Sequence, residues 1–508
     1  MKKILFSLIL IIYTSILVSQ KTSFDLVIHV SISQPRQSSF KPDGRLFVFL
    51  NQNEKVEPRT RTWPSSGNFI FAKNFKGVDP IKGIEISNPE GWIKTSEWTF
   101  KNVPEGEYYL QVLWDQNVEE SNINAHGNIY SEKQKVTVNQ STLVQVSLSE
   151  NIEKRELVQH ELVKFIDLKS DTLSKWWGKS MYVKASVLLP SQYAENPKKA
   201  YPIRYNVAGY GGRYTRINRL VNNEEFMKWW QSDDAPQVIN VFLDGEGPFG
   251  DSYQMDSDNS GPYGYSLIHE LIPFIEKKYR NTDTAETRFV DGCSTGGWVS
   301  LGLQLYYPDT FNGVFSYSPD AIDFENYQLI DIYKDKNAFV NEHGYLRPVW
   351  RDTDGEPRMA LQDFIQYENV LGVSNTYVTS GGQFSAHSAL YSKKGADGLP
   401  KKLFDPITGD IDPEVAQSWK KYDFRIYAEE NWATLGPKLQ GKIYIWMGDM
   451  DHFYLNIATR SFDQFLKTTK NPTSDAKIVF SPTKGHCVEF SNRIILEQIQ
   501  QKLNLINQ

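Results

Sequence analysis

The chain has 508 residues, too many for one hydrophobic core of ordinary size, so two or three domains are expected. Hydrophobic residues make up 40% and charged residues 23%, the balance of a globular protein rather than a disordered or fibrous one. Lysine and arginine total 55 against 61 acidic residues, a net charge of −6 with no basic run, which argues against a nucleic-acid partner.

Lys2 and Lys3 precede an apolar run at 4–18 that is broken only by Ser7, Thr14 and Ser15 and ends at Ser19-Gln20. This pattern predicts a signal peptide over residues 1–19, cut after Ser19, and a secreted or periplasmic mature chain. The run is shorter than the ~20 residues a spanning helix needs, so no stable membrane insertion is expected after cleavage. In an oxidising compartment the two cysteines, Cys293 and Cys487, are candidates for a single bridge.

Residues 20–150 are predicted to form an all-β sandwich accessory domain. Leu26, Ile28, Val30 and Ile32 alternate with polar positions, and Leu46, Val48 and Leu50 are assigned the same alternating role. Turns rich in proline and glycine separate these runs, among them Lys41-Pro42-Asp43-Gly44 and Val103-Pro104-Glu105-Gly106. The latter, continued by Tyr108 and Trp114, resembles a turn of small secreted sandwich domains, some of which bind carbohydrate. Residues 150–175 are expected to be a charged helix or linker.

From Met181 the pattern becomes an alternation of strands and helices. Strands are predicted at 182–189, 203–208, 238–243, 288–290, 313–317, 443–447 and 476–480, and an amphipathic helix at 266–279. That order predicts an α/β class with a doubly wound, mostly parallel sheet over residues 151–508. Residues 320–440 interrupt it with loop-rich, aromatic sequence, too long for a simple connection, and are expected to cap the active site.

The chemistry is concentrated at Gly292-Cys293-Ser294-Thr295-Gly296-Gly297, which follows Arg288-Phe289-Val290 and opens a helical run. A G-x-S-x-G sequence between strand and helix is a nucleophile elbow, so Ser294 is the candidate nucleophile of an α/β-hydrolase. Such enzymes take their triad in the order serine, acid, histidine. His486 follows a late strand by a short loop and precedes the terminal helix, which makes it the candidate general base. His343 and His387 fall in the insertion and are expected on a surface or lid. Asp451 in Gly448-Asp449-Met450-Asp451-His452 is the candidate acid, with Asp449 as alternative; His452 is badly placed to bond its own neighbour.

Two backbone N–H donors should form an oxyanion hole. Thr295 supplies one; Ala208-Gly209-Tyr210-Gly211-Gly212 supplies the other, at Tyr210 or Gly211. Because Ser294 and His486 must approach within ~3 Å for proton transfer, Cys293 and Cys487 beside them come near disulfide range. No metal or cofactor is expected: Asp256-Ser257-Asp258-Asn259-Ser260-Gly261 echoes a calcium loop but has Leu267 at the twelfth position, so it reads as a turn.

Tyr201-Pro202-Ile203, Phe242-Leu243-Asp244-Gly245, Asn259-Ser260-Gly261-Pro262-Tyr263, Glu270-Leu271-Ile272-Pro273, the Ser294 motif and Tyr306-Tyr307-Pro308 together resemble the bacterial putative esterase family, which includes esterase D-like, enterochelin esterase-like and feruloyl esterase enzymes. The resemblance covers about residues 165–500 and implies a cofactor-free serine hydrolase of carboxylic esters. Cysteines beside the serine and histidine are similar to those of tannases and fungal feruloyl esterases, where they form a disulfide. The family more often has His-Gly where this chain has Ala208-Gly209. The function expected is a secreted serine carboxylesterase acting on a small-molecule or polysaccharide-linked ester, such as feruloyl or acetyl groups of plant polysaccharides. The alternatives are a siderophore esterase, a serine peptidase of the same fold, and a non-catalytic carbohydrate-binding protein.

Overall fold

The computed structural model describes residues 22–117 and 119–506, and the expected signal peptide lies outside the described residues. In the N-terminal domain Leu26–Ile32 buries Leu26, Ile28, Val30 and Ile32, as the alternation predicts, and pairs in parallel with Thr142–Asn151. Nine strands make one branched sheet rather than two separate ones. The branch is Gly106–Asp115, which pairs with Gly44–Asn51 along one edge and with both Ile129–Ser131 and Gln134–Val138 along the other.

The strand Gly44–Asn51 departs from the expected alternation, because Phe47 and Phe49 are buried as fully as Leu46, Val48 and Leu50. Leu46, Val48 and Leu50 join the domain's own core, whereas Phe47 and Phe49 pack with Ile70, Ala72 and Leu113 against Tyr367 and Val370 of the later insertion. A strand covered on both faces carries a continuous apolar run, and burial of each phenylalanine is worth about 1.5–3 kcal/mol relative to exposure. Polar bonds fix the same contact: Arg45 donates to the Val370 carbonyl at 2.9 Å and the Tyr367 hydroxyl to the Asn68 carbonyl at 2.6 Å. The two domains are docked, not merely tethered.

The second domain is built on eight strands: β1 Val163–Ser170, β2 Met181–Leu188, β3 Ile203–Val207, β4 Ile239–Leu243, β5 Arg288–Cys293, β6 Gly313–Tyr317, β7 Ile443–Gly448 and β8 Lys477–Ser481. Their order is β1-β2-β4-β3-β5-β6-β7-β8. β2 runs antiparallel to both β1 and β4, and all pairs from β4 to β8 are parallel. Every residue of β3, β4 and β6 is buried, as a parallel sheet covered on both faces requires. A buried ion pair lies inside it: Arg204 on β3 makes two bonds to Asp291 on β5, at 2.6 and 2.7 Å.

Of the helix or linker expected at 150–175, residues 152–160 are irregular and Asp171–Trp177 is helical, but β1 corrects the expectation at 163–170. It lies at the sheet edge, so Lys164, Asp167 and Lys169 face solvent while Val163 and Ile166 pack inward, and edge strands commonly carry such charge. The long insertion between β6 and β7 holds a hairpin, Pro348–Arg351 with Pro357–Ala360, and the helices Leu361–Leu371 and Gln383–Tyr391. Its last helix, Phe424–Leu439, instead belongs to the layer that covers the sheet, with Phe424 stacked on Trp298 at 4.3 Å between ring centroids. Among the described residues no helix is long and apolar enough to cross a membrane.

Candidate active site

β5 ends at Cys293, and helix α1, Thr295–Tyr306, begins one residue later. Between them Ser294 is held at φ 60°, ψ −129°, a conformation costing a non-glycine residue about 1–3 kcal/mol. The neighbouring glycines make the turn possible: a Cβ on Gly292 would lie 2.4 Å from the Gly296 backbone, and one on Gly296 would lie 2.4 Å from the Val207 carbonyl oxygen. The turn thrusts the Ser294 side chain into a cavity of about 480 Å³ at the carboxyl ends of the strands.

His486 enters this cavity from the loop after β8, and its Nδ1 lies 2.6 Å from Asp451 Oδ2. Asp451 is fully buried, and its Oδ1 accepts the N–H groups of Phe453 at 2.9 Å and Leu455 at 3.3 Å, which fixes the carboxylate plane. Asp449 is not part of this arrangement; both its oxygens are taken by Arg460. Burial pushes the His486 pKa down, but the charge and hydrogen bond of Asp451, helped by the charge of Asp320, outweigh it and hold the imidazole above its usual range.

The Ser294 hydroxyl makes a long contact of 3.5 Å to Asp320 Oδ1, and no bond to His486 occurs among the described residues. Ser294 and His486 line the same cavity, and serine–histidine bonds commonly tighten only when substrate is present. The Thr295 N–H, at the first position of α1, has no acceptor within the helix. Gly209 places its loop beside the serine, since a Cβ there would be 3.9 Å from Ser294 Cβ. Of the two candidates on that loop, Gly211 is committed elsewhere, its N–H donating to Asp251 Oδ2 at 3.0 Å, which leaves Tyr210. The Tyr210 hydroxyl bonds the Gly381 carbonyl and so ties the loop to the insertion.

Cys293 and Cys487 form a disulfide with 6.0 Å between Cα atoms, joining the segments that carry Ser294 and His486. His343 lies on the surface beside Glu342, as expected. His387 does not: it is buried and lines the cavity, bonded through its two ring nitrogens to Tyr253 at 2.7 Å and Tyr327 at 2.5 Å. Asp320 lies in the same cluster, three residues beyond the end of β6. A Ser-Pro-Asp sequence directly after a parallel strand was the available signal, because ligands bind at that edge of such sheets. Trp63 reaches the cavity from the N-terminal domain and meets Phe364 edge-on at 5.0 Å, and nothing local in the sequence marks it.

Residues 178–493 match the family described as Putative esterase. A stretch of 133 residues is 27% identical to the uncharacterized protein YjcH of Bacillus subtilis (strain 168); it covers 26% of this chain and 54% of that protein, so the chain spans about half the length of this curated relative. Among solved structures, the chain is similar to a ferulic acid esterase at 17% identity and a TM-score of 0.40, covering 68% of this chain and 96% of that one. It is also similar to an S-formylglutathione hydrolase from Agrobacterium tumefaciens at 13% identity and a TM-score of 0.37, covering 68% and 93%. With the family match running through β2 to β8 and the elbow between β5 and α1, the chain belongs to the Putative esterase family and its second domain has the α/β-hydrolase fold.

Proposed function

We propose that the protein is a serine carboxylic ester hydrolase. The observation that carries this reading is the His486–Asp451 pair at 2.6 Å opening on the same cavity as an elbow serine. Ser294 Oγ attacks the ester carbonyl as its proton passes to His486 Nε2, while Asp451 holds Nδ1–H and stabilises the imidazolium. The N–H groups of Thr295 and Tyr210 receive the charge that develops on the carbonyl oxygen. His486 returns the proton to the leaving alcohol, and water then repeats the sequence on the acyl-enzyme. Only this chain's residues and water are needed.

The raised imidazole pKa serves the same steps, since it favours the imidazolium that forms as Oγ attacks. The aromatic side chains Trp63, Phe364, Phe384 and Phe453 on the cavity wall support an ester with an aromatic portion. Export to a periplasm or medium is part of the proposal, supported by the basic and apolar start of the chain and by the disulfide.

The test is labelling with a fluorophosphonate probe together with turnover of p-nitrophenyl acyl esters. Both are expected in the native protein and both should vanish in Ser294→Ala; a native protein that neither labels nor turns over ester refutes the reading and favours a binding protein on a hydrolase fold. Trp63→Ala is expected to raise KM for aryl-acyl esters about 10-fold with little change in kcat. An unchanged KM for an aryl-acyl ester would remove the N-terminal domain from substrate binding.

A further inference from the structure

Asp320 is buried, 4% exposed, yet lines the cavity beside the nucleophile. Its two oxygens are treated differently. Oδ2 accepts three bonds, from Tyr253 Oη at 2.8 Å, Thr295 Oγ1 at 2.9 Å and Gln383 Nε2 at 3.1 Å. Among the described residues Oδ1 has only the long 3.5 Å contact to Ser294 Oγ, a hydroxyl that must leave it to meet His486 during reaction.

The cluster behind Asp320 is built on His387, whose Nε2 lies 3.7 Å from Oδ2. Tyr253 donates its proton to Asp320, so it accepts from His387 Nε2–H, and His387 Nδ1 is bonded to the Tyr327 hydroxyl. Among the described residues no lysine or arginine pairs with Asp320. Burial acts to raise the Asp320 pKa, but the His387 ring and the hydroxyls of Tyr253 and Thr295 outweigh it and keep the group ionised. A carboxylate here also opposes the oxyanion that forms beside Thr295, so in the hydrolysis itself it is a liability.

We infer that Asp320 Oδ1 is a specificity site that takes a hydrogen-bond donor, a hydroxyl or an ammonium, on the carbon next to the ester carbonyl of the acyl group. The leaving oxygen must face His486, which returns its proton, so the side of the cavity bounded by Asp320 and Gln383 takes the acyl chain. An atom on the carbon next to the carbonyl stays close to Oγ throughout, within reach of an oxygen 3.5 Å away. A donor there supplies the missing partner for Oδ1 of a buried carboxylate, whereas an apolar substituent leaves that oxygen without one, and sites built this way reject the apolar analogue strongly. The inference rests on the serine-ester reading above.

The experiment compares p-nitrophenyl propionate, glycolate and glycinate, which place a methyl, a hydroxyl and an ammonium at one position. Each kcat/KM is divided by that ester's own rate with hydroxide, at one pH. The native enzyme is expected to prefer glycolate, glycinate or both over propionate by at least 10-fold, the favoured ester telling hydroxyl from ammonium, and Asp320→Asn should bring the ratios to within about 3-fold of one another. Equal ratios in the native enzyme overturn the inference even if the variant does not fold. So does a variant in which all three rates fall together, which is the signature of a purely structural role. If no ester turns over and Ser294 takes no fluorophosphonate, the hydrolase reading falls and this inference with it.

Discussion

Asp451→Asn should lower kcat about 10⁴-fold without unfolding the protein. The amide oxygen of asparagine can keep the two backbone donors now held by Asp451 Oδ1, from Phe453 and Leu455, which turns the NH₂ group toward His486. An N–H donor there forces the imidazole to carry its proton on Nε2, the atom that must accept from Ser294. The pH profile gives an independent reading. Burial lowers the His486 pKa and Asp451 raises it by more, so native kcat/KM should rise with pH through a value above the usual imidazole range. Removing the Asp451 charge takes away the raising contribution, and the residual activity of the variant should titrate at lower pH. Profiles recorded from about pH 5 to 9 check both points. Asp449→Asn is the control: it breaks a partly exposed pair with Arg460, worth about 0–1 kcal/mol, and should leave kcat within about 3-fold of native. Were Asp449→Asn the crippling change and Asp451→Asn the mild one, the assignment of the acid would be reversed.

The parts of the site that could be read in advance share one property: each sits a few residues beyond the end of a parallel strand. Ser294 follows β5, Asp451 follows β7 and His486 follows β8, and such strands announce themselves as short apolar runs. β1 lacked that signal because an edge strand with charge on its open side has a helix-like or linker-like composition. The Asp320 cluster was missed for a different reason. Tyr253, Asp320 and His387 lie on three segments more than 60 residues apart, and their meeting depends on how the insertion folds back over β6. Phe47 and Phe49 did carry a signal: unbroken apolar sequence through a strand implies cover on both faces, and what covers the second face is the helix that also presents Phe364 to the cavity. Gly211 shows a limit of motif reading, since a glycine-rich loop does not reveal which of its N–H groups is already engaged.

Replacing both cysteines, as Cys293→Ser with Cys487→Ser, should lower unfolding free energy by up to about 5 kcal/mol, the chain-entropy value for a closed loop of this length. The bridge spans 194 residues, and the loop it closes contains β6, the whole insertion, β7 and β8. Against a total of about 5–15 kcal/mol for a typical domain, that loss would show as a large fall in the urea midpoint. An effect on the chemistry should accompany it. Cys293 immediately precedes the strained Ser294, and Cys487, itself at φ 60° with its N–H bonded to Ser318 Oγ at 3.1 Å, immediately follows His486. The bridge therefore sets the spacing of two side chains that must exchange a proton, and a misplacement of about 1 Å there can cost 10²-fold in rate. Measured at low temperature, where the variant stays folded, kcat should fall at least 10-fold while KM changes little. A midpoint and a kcat both matching the native protein would reduce the disulfide to a bystander. Because the contribution exists only when the thiols are oxidised, protein folded under reducing conditions should behave like the double serine variant, and oxidation alone should restore both stability and rate.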